Sequence, residues 1–164
     1  MEFNYLESVK NEFKKYKSLA EKAIGQVGDE KLFWQYNSES NSIAIIVNHL
    51  WGNMLSRWTN FLSEDGEKAW RNRDEEFESV IQTKEELLSK WNAGWICLFT
   101  ALDSLSEADL SIKIFIRKES LTVMDAINRQ LAHYSSHVGQ IIFLAKMITG
   151  NSWESLSISK RKLV

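Results

Sequence analysis

The chain has 164 residues, 44% of them hydrophobic and 26% charged, enough for one sizeable core. Twenty basic and 22 acidic residues nearly cancel to a formal net charge of -2, which argues against an electrostatic grip on nucleic acid or an anionic membrane. No apolar run approaches the roughly 20 residues that cross a bilayer, and the start, MEFNYLESVKNEF, carries acidic residues where a secretory leader needs basic and then apolar ones. A cytoplasmic location is the expectation.

Proline is absent, so nothing in the sequence obstructs long helices. Apolar residues recur at three and four from about Phe3 to Val27, predicting a first helix closed by Gly28 and Asp29. EKLFWQY then predicts one helical turn capped by Asp29, before the polar loop NSESNS. Ser42 opens a second helix, SIAIIVNHLWGNMLSRWTNFL, running to about Leu62. SEDGEKAWRNRDEE, charged and with a DG turn signal, reads as a long loop crossing the body of the domain. The capping-box spacing TKEE starts a third helix at Thr83, with Leu87, Trp91, Trp95, Leu98, Leu102 and Leu105 on one stripe and an end near Ser106. Its lone cysteine, Cys97, has no disulfide partner and sits in WICLFT, a core-packing setting.

SIKIFIR, residues 111 to 117, alternates Ile112, Ile114 and Ile116, a strand period that predicts a hairpin or extended crossover. Thr122 or Ser120 can cap a fourth helix that runs to about Ile148 and ends at Gly150. The expected fold is therefore all-α, a four-helix bundle in a single domain over 1–164. It has a long connection between helices two and three and a short extended segment before helix four.

Two of the three histidines, His133 and His137, lie four apart in HYSSH and so stack on one helical face, with beta carbons about 5–6 Å apart. His49 sits mid-way along the second helix, and if helices two and four pack together, three imidazoles converge. Hydrogen-bonded core or partly exposed histidines would produce the same spacing. HYSSH is not the HExxH of zincin peptidases, because Tyr134 replaces the glutamate general base. Gln130 and Gln140 stand where a di-iron bundle needs carboxylates, which favours a mononuclear, all-histidine site.

SIAIIVNHLWGNMLSRWTNFLSEDGEKAWRNRDEEF, together with LAHYSSHVGQIIFLAK, resembles the DinB-like (YfiT-like) superfamily of bacterial four-helix-bundle metalloenzymes. Within it, the RW..FL..DGE...RNRD.EF run resembles a little-characterised branch; Ala69 departs from the proline expected there. The resemblance implies a divalent ion, zinc or nickel, held by His49, His133 and His137, with water completing the shell, and frequent homodimers. It also implies a small-molecule substrate, with a low-molecular-weight thiol such as bacillithiol or mycothiol transferred to electrophiles in some relatives.

Three neutral imidazoles leave coordination positions open, and an ion so held lowers the pKa of a bound thiol or water. Asn53 and Gln140, within one turn of a ligand, could orient water or an imidazole, or simply bridge helices. Arg57, Arg71 and Arg73 either tie the DGE and DEEF acids to the bundle, the commoner arrangement, or receive a substrate carboxylate. Trp51, beside Gly52, is a candidate for a pocket wall or a dimer face. Two function classes stay open: a metal-dependent S-transferase or hydrolase, and a non-catalytic, stress-associated metal-binding dimer. The second is motivated by the lack of an evident acid or base beside the ligands.

Overall fold

Residues 4–158 are described by the computed structural model. Four helices form the bundle: α1 (Tyr5–Ile24), α2 (Ile43–Trp58), α3 (Lys84–Asp103) and α4 (Val123–Thr149). A hairpin of β1 (Lys113–Ile116) and β2 (Glu119–Thr122) precedes α4. The all-α bundle expected from the sequence is the architecture observed.

Each helix starts where a side chain accepts an otherwise free N–H: Asn4 from Glu7, Ser42 from Ile45, Thr83 from Glu86 and Thr122 from Asp125. At α4 the Asp125 carboxylate also reaches back to the Thr122 N–H, completing the box. At α3 the reaching carboxylate, Glu86, bonds the N–H of Gln82 instead.

Several boundaries differ from expectation. Phe3 lies outside the described residues, and α1 ends at Ile24 rather than Val27. The α2 helix stops at Trp58, short of Leu62, because Thr59 turns extended and Asn60 takes φ +49, a left-handed position that asparagine tolerates better than most. Asp29 is not a cap; it is the first residue of a 3-10 turn, Asp29–Phe33, and its carboxylate meets Lys84 Nζ at 2.6 Å.

Within the bundle, α2 packs against α3 and α1 against α4, while α2 also faces α4 and α1 faces α3. Gly94 sets the α2–α3 approach: a Cβ there would lie 3.0 Å from Met54 Sδ and 3.3 Å from Trp51 Cα. The apolar stripe of α3 is buried from Leu87 to Leu102, and Leu105, just past a helix end that falls short of the expected boundary near Ser106, is buried with it. Phe13, Trp91, Trp95 and Tyr134 meet at its centre, edge-on except for the tilted Phe13–Tyr134 pair, and form an aromatic core.

Only Trp51 and Leu55 of α2 escape full burial, as its nearly continuous apolar sequence requires. What covers its outer side is the connection 59–83, whose short turn Glu75–Phe77 docks on α2. The hairpin pins this connection. Arg117 and Lys118 form its two-residue turn, both at positive φ (55° and 65°), where Asn-Gly is usual. Asp65 offsets that strain by accepting both of their N–H groups at 2.8 Å.

Candidate metal centre

His49 is carried on the buried face of α2, and His133 and His137 are carried one turn apart on α4. Because α2 and α4 face each other, the three rings meet: His133 Nε2 lies 3.3 Å from His49 Nε2 and 3.0 Å from His137 Nε2. Two nitrogens each about 2.1 Å from one ion, at angles of about 90–109°, stand about 3.0–3.4 Å apart. Both of those spacings are in the range of ligands disposed around an ion, and all three ligand atoms lie within 4.8 Å of one another.

The outer nitrogens settle which ring atoms face inward. His49 Nδ1 is 2.9 Å from Glu76 Oε2, and an ionised carboxylate can only accept, so Nδ1 carries the proton and Nε2 presents a lone pair. His137 Nδ1 donates likewise to Gln140 Oε1 at 2.8 Å, leaving its Nε2 free as well. His133 Nε2 therefore faces two lone pairs, and one proton on it could satisfy only one of them at a time. Protonating His133 is disfavoured: burial, then the neighbouring His137 and His49, push its pKa down to about 3. Burial lowers His137 too. A divalent cation satisfies all three lone pairs at once, so the donor set fits such an ion.

Glu76 is the E of the RNRD.EF run, but nothing in the sequence assigned it a role at the site, where it looks like one more acid in DEEF. It lies on the docked turn, 5% exposed, and no carboxylate was expected beside the ligands. Arg71 grips it with two bonds, Nε to Oε1 at 2.6 Å and Nη2 to Oε2 at 2.8 Å. Burial pushes the Glu76 carboxyl up, but the bonds from Arg71 and His49 outweigh it and hold the group below the usual carboxylate range. Asn48 Nδ2 donates to the Glu76 carbonyl at 3.1 Å, fixing the turn itself. The neighbouring Phe77 stacks on His49, ring centroids 4.8 Å apart. A carboxylate behind a ligating imidazole fixes its tautomer and raises its basicity. Nothing in the local sequence signals this, since Glu76 and His49 are 27 positions apart.

Asn53 lines the same cavity, and a buried relay orients it. Trp58 Nε1 donates to Tyr134 Oη at 3.0 Å, and Tyr134 Oη donates to Asn53 Oδ1 at 3.1 Å. With its oxygen taken, the Asn53 amide has its NH2 end left for the cavity. Burial raises the Tyr134 pKa, which keeps the phenol protonated as the donor in this relay.

Arg57 does not point free into the site. It donates to Glu67 Oε2 at 3.1 Å and to the Gly66 carbonyl, tying the DGE segment to α2. Arg71 ties the DEEF segment in the same manner. Arg73 differs: among the described residues it has no carboxylate partner, and its guanidinium lies over Phe77, 5.2 Å from the ring centroid. Trp51 lines a separate groove with Trp70, beneath the ammonium of Lys90. Cys97, half-buried and raised in pKa by burial, lies away from the histidines against Thr59 and Met54.

Over residues 1–162 the sequence matches the family described as "Protein of unknown function (DUF1572)". The chain belongs to this family. DUF1572 is in turn a member of the DinB-like superfamily. No curated protein and no solved structure gave a match. The histidines of this DUF1572 member open into a cavity of about 380 Å³, and among the described residues no Cys, Asp or Glu joins them as a fourth ligand. An open cavity of that size has room for solvent or a small molecule beside an ion.

Proposed function

We propose that this protein is a divalent-metal-dependent enzyme that joins a low-molecular-weight thiol, of the bacillithiol type, to an electrophile. The observation that carries the reading is the set of three inward Nε2 atoms at the floor of an open cavity, with no fourth protein ligand among the described residues. A structural site would be closed by a fourth ligand. His49, His133 and His137 would hold zinc or nickel, and the bound ion supplies a lowered thiol pKa, so that the nucleophile exists as thiolate near neutral pH.

The chain's own groups do the rest. Glu76 and Gln140 keep two of the imidazoles in the tautomer that presents Nε2. The Asn53 amide donates a hydrogen bond toward an atom held in the cavity. In the transfer, sulfur bonds to the electrophilic carbon, the leaving group departs with the electron pair of the broken bond, and the thiol proton passes to solvent. The RW..FL..DGE...RNRD.EF run supports a reading of the protein as a member of one branch of the superfamily, its acids and arginines serving to lock the connection over α2.

Elemental analysis of the purified protein, followed by thiol conjugation to a chromogenic electrophile with and without chelator, tests the proposal. One bound ion per chain is expected, with activity lost on chelation and restored by zinc or nickel. Activity indifferent to removal of the ion would refute it.

A further inference from the structure

The cavity wall above the histidines is unusually cationic. Arg57, Arg71, Arg73, Arg117 and Arg129 all line it, and among the described residues no aspartate or glutamate does. The carboxylates that pair with these arginines stand behind them and are too few. Glu67 Oε2 alone serves Arg57 Nη2 at 3.1 Å and Arg117 Nε at 3.0 Å, with Arg71 Nη1 at 3.7 Å. Glu76 is taken by Arg71 and His49, and Glu119 pairs with Arg129 at 3.0 Å in an exposed position.

Two unmet polar groups sit in the same wall. Arg71 Nη1 is buried with no hydrogen-bond acceptor among the described residues, its side chain only 2% exposed. Among the described residues Arg73 has only the face of Phe77. Guanidiniums gathered this closely repel one another, and burial together with the charge of Arg71 already lowers the Arg57 pKa. Three neutral imidazoles add no negative charge, and a divalent ion would deepen the positive potential. The arrangement is complementary to an oxyanion, which guanidiniums bind in paired, charge-assisted bonds.

We infer that the cavity selects a small anionic substrate, one bearing a carboxylate or phosphate group that Arg73 and Arg129 receive at the rim while its reacting atom lies over the histidines. The inference rests on the proposed metal-dependent reading for the substrate role of this anion. The electrostatic trap itself is built from arginines alone and is present with or without an ion.

Binding of succinate, inorganic phosphate and the uncharged succinamide is measured by calorimetry, on metal-free and on zinc-loaded full-length protein. The Arg73→Gln and Arg129→Gln variants are run alongside, with circular dichroism to confirm their folding. Saturable binding of succinate or phosphate is expected in the metal-free protein, with none for succinamide. Each substitution should weaken it about tenfold, the loss of one charge-assisted contact. Succinate without phosphate identifies the group as a carboxylate, and the reverse as a phosphoryl group. Absence of saturable anion binding, or binding unaffected by both substitutions, overturns the inference. Ion content read on the same samples separates this from failure of the metal reading, because a protein that holds zinc but no anion refutes only the trap.

Discussion

Replacing Gly52 by alanine tests whether the carboxylate behind His49 is held in place by the helix beneath it. A Cβ at Gly52 would lie 2.4 Å from Glu76 Oε1, 2.8 Å from Cδ and 3.1 Å from Cγ. Ordinary contact begins near 3.4 Å, so the carboxylate would have to move by about 1 Å. A surface glutamate could swing aside, but this one is buried, with both oxygens bound by Arg71 and one shared with His49. Losing the His49 bond costs about 1.5–3 kcal/mol, the range for hydrogen bonds to charged groups. Alanine in a helix interior returns about 1 kcal/mol relative to glycine. The net expectation is a loss of about 0.5–2 kcal/mol, or a melting midpoint lower by about 1–8 °C for a chain of this size. Affinity for zinc, from competition with a chromophoric chelator, should fall about 10- to 100-fold, as when the partner of a ligating histidine is disturbed. Gly139→Ala on the exposed face of α4, where a Cβ meets nothing within 4 Å, serves as control. It should raise stability by about 1 kcal/mol and leave zinc binding alone. A Gly52→Ala protein with an undiminished midpoint and wild-type zinc affinity would refute the reasoning.

Glu76→Gln keeps the shape and an acceptor but removes the charge, and should weaken zinc binding about 10- to 100-fold; an unchanged constant in the same competition assay speaks against a carboxylate role. His133→Ala combined with His137→Ala should abolish ion uptake by elemental analysis, and full retention would show that the ion sits elsewhere. Acid should destabilise the metal-free protein. His133 has a folded-state pKa near 3 against about 6.5 unfolded, so below about pH 6.5 the unfolded chain takes up a proton that the folded chain refuses. The stability is intact above that pH and is lost progressively as pH falls from about 6.5 toward about 3; His133→Gln should flatten the trend, and a midpoint that rises on acidification contradicts it. Tyr134→Phe strands the Trp58 N–H and the Asn53 oxygen in the core, with an expected cost of about 1–3 kcal/mol in chemical denaturation. Equal stability of that variant and the wild type would mean that the relay contributes nothing.

Much of the fold was legible because it is periodic. The apolar stripe from Leu87 to Leu105, the caps Ser42, Thr83 and Thr122, and the alternation of Ile114 and Ile116 each depend on residues within a few positions of one another. The pairing of His133 with His137 is local for the same reason. Where a boundary failed, as at Asn60 or Asp29, a single backbone angle or a partner distant in sequence decided it.

What the sequence by itself determined is therefore the set of helices, their buried faces and one pair of stacked imidazoles, since helical geometry alone relates residues three and four apart. Only the tertiary structure decided that His49 joins that pair, that Glu76 arrives behind it from the connection over α2, and that five arginines crowd one wall. Those relations join side chains up to 88 positions apart, as His49 and His137 are. No local periodicity encodes them; they arise when burial of the apolar stripes fixes how α2, α4 and the connection lie against one another.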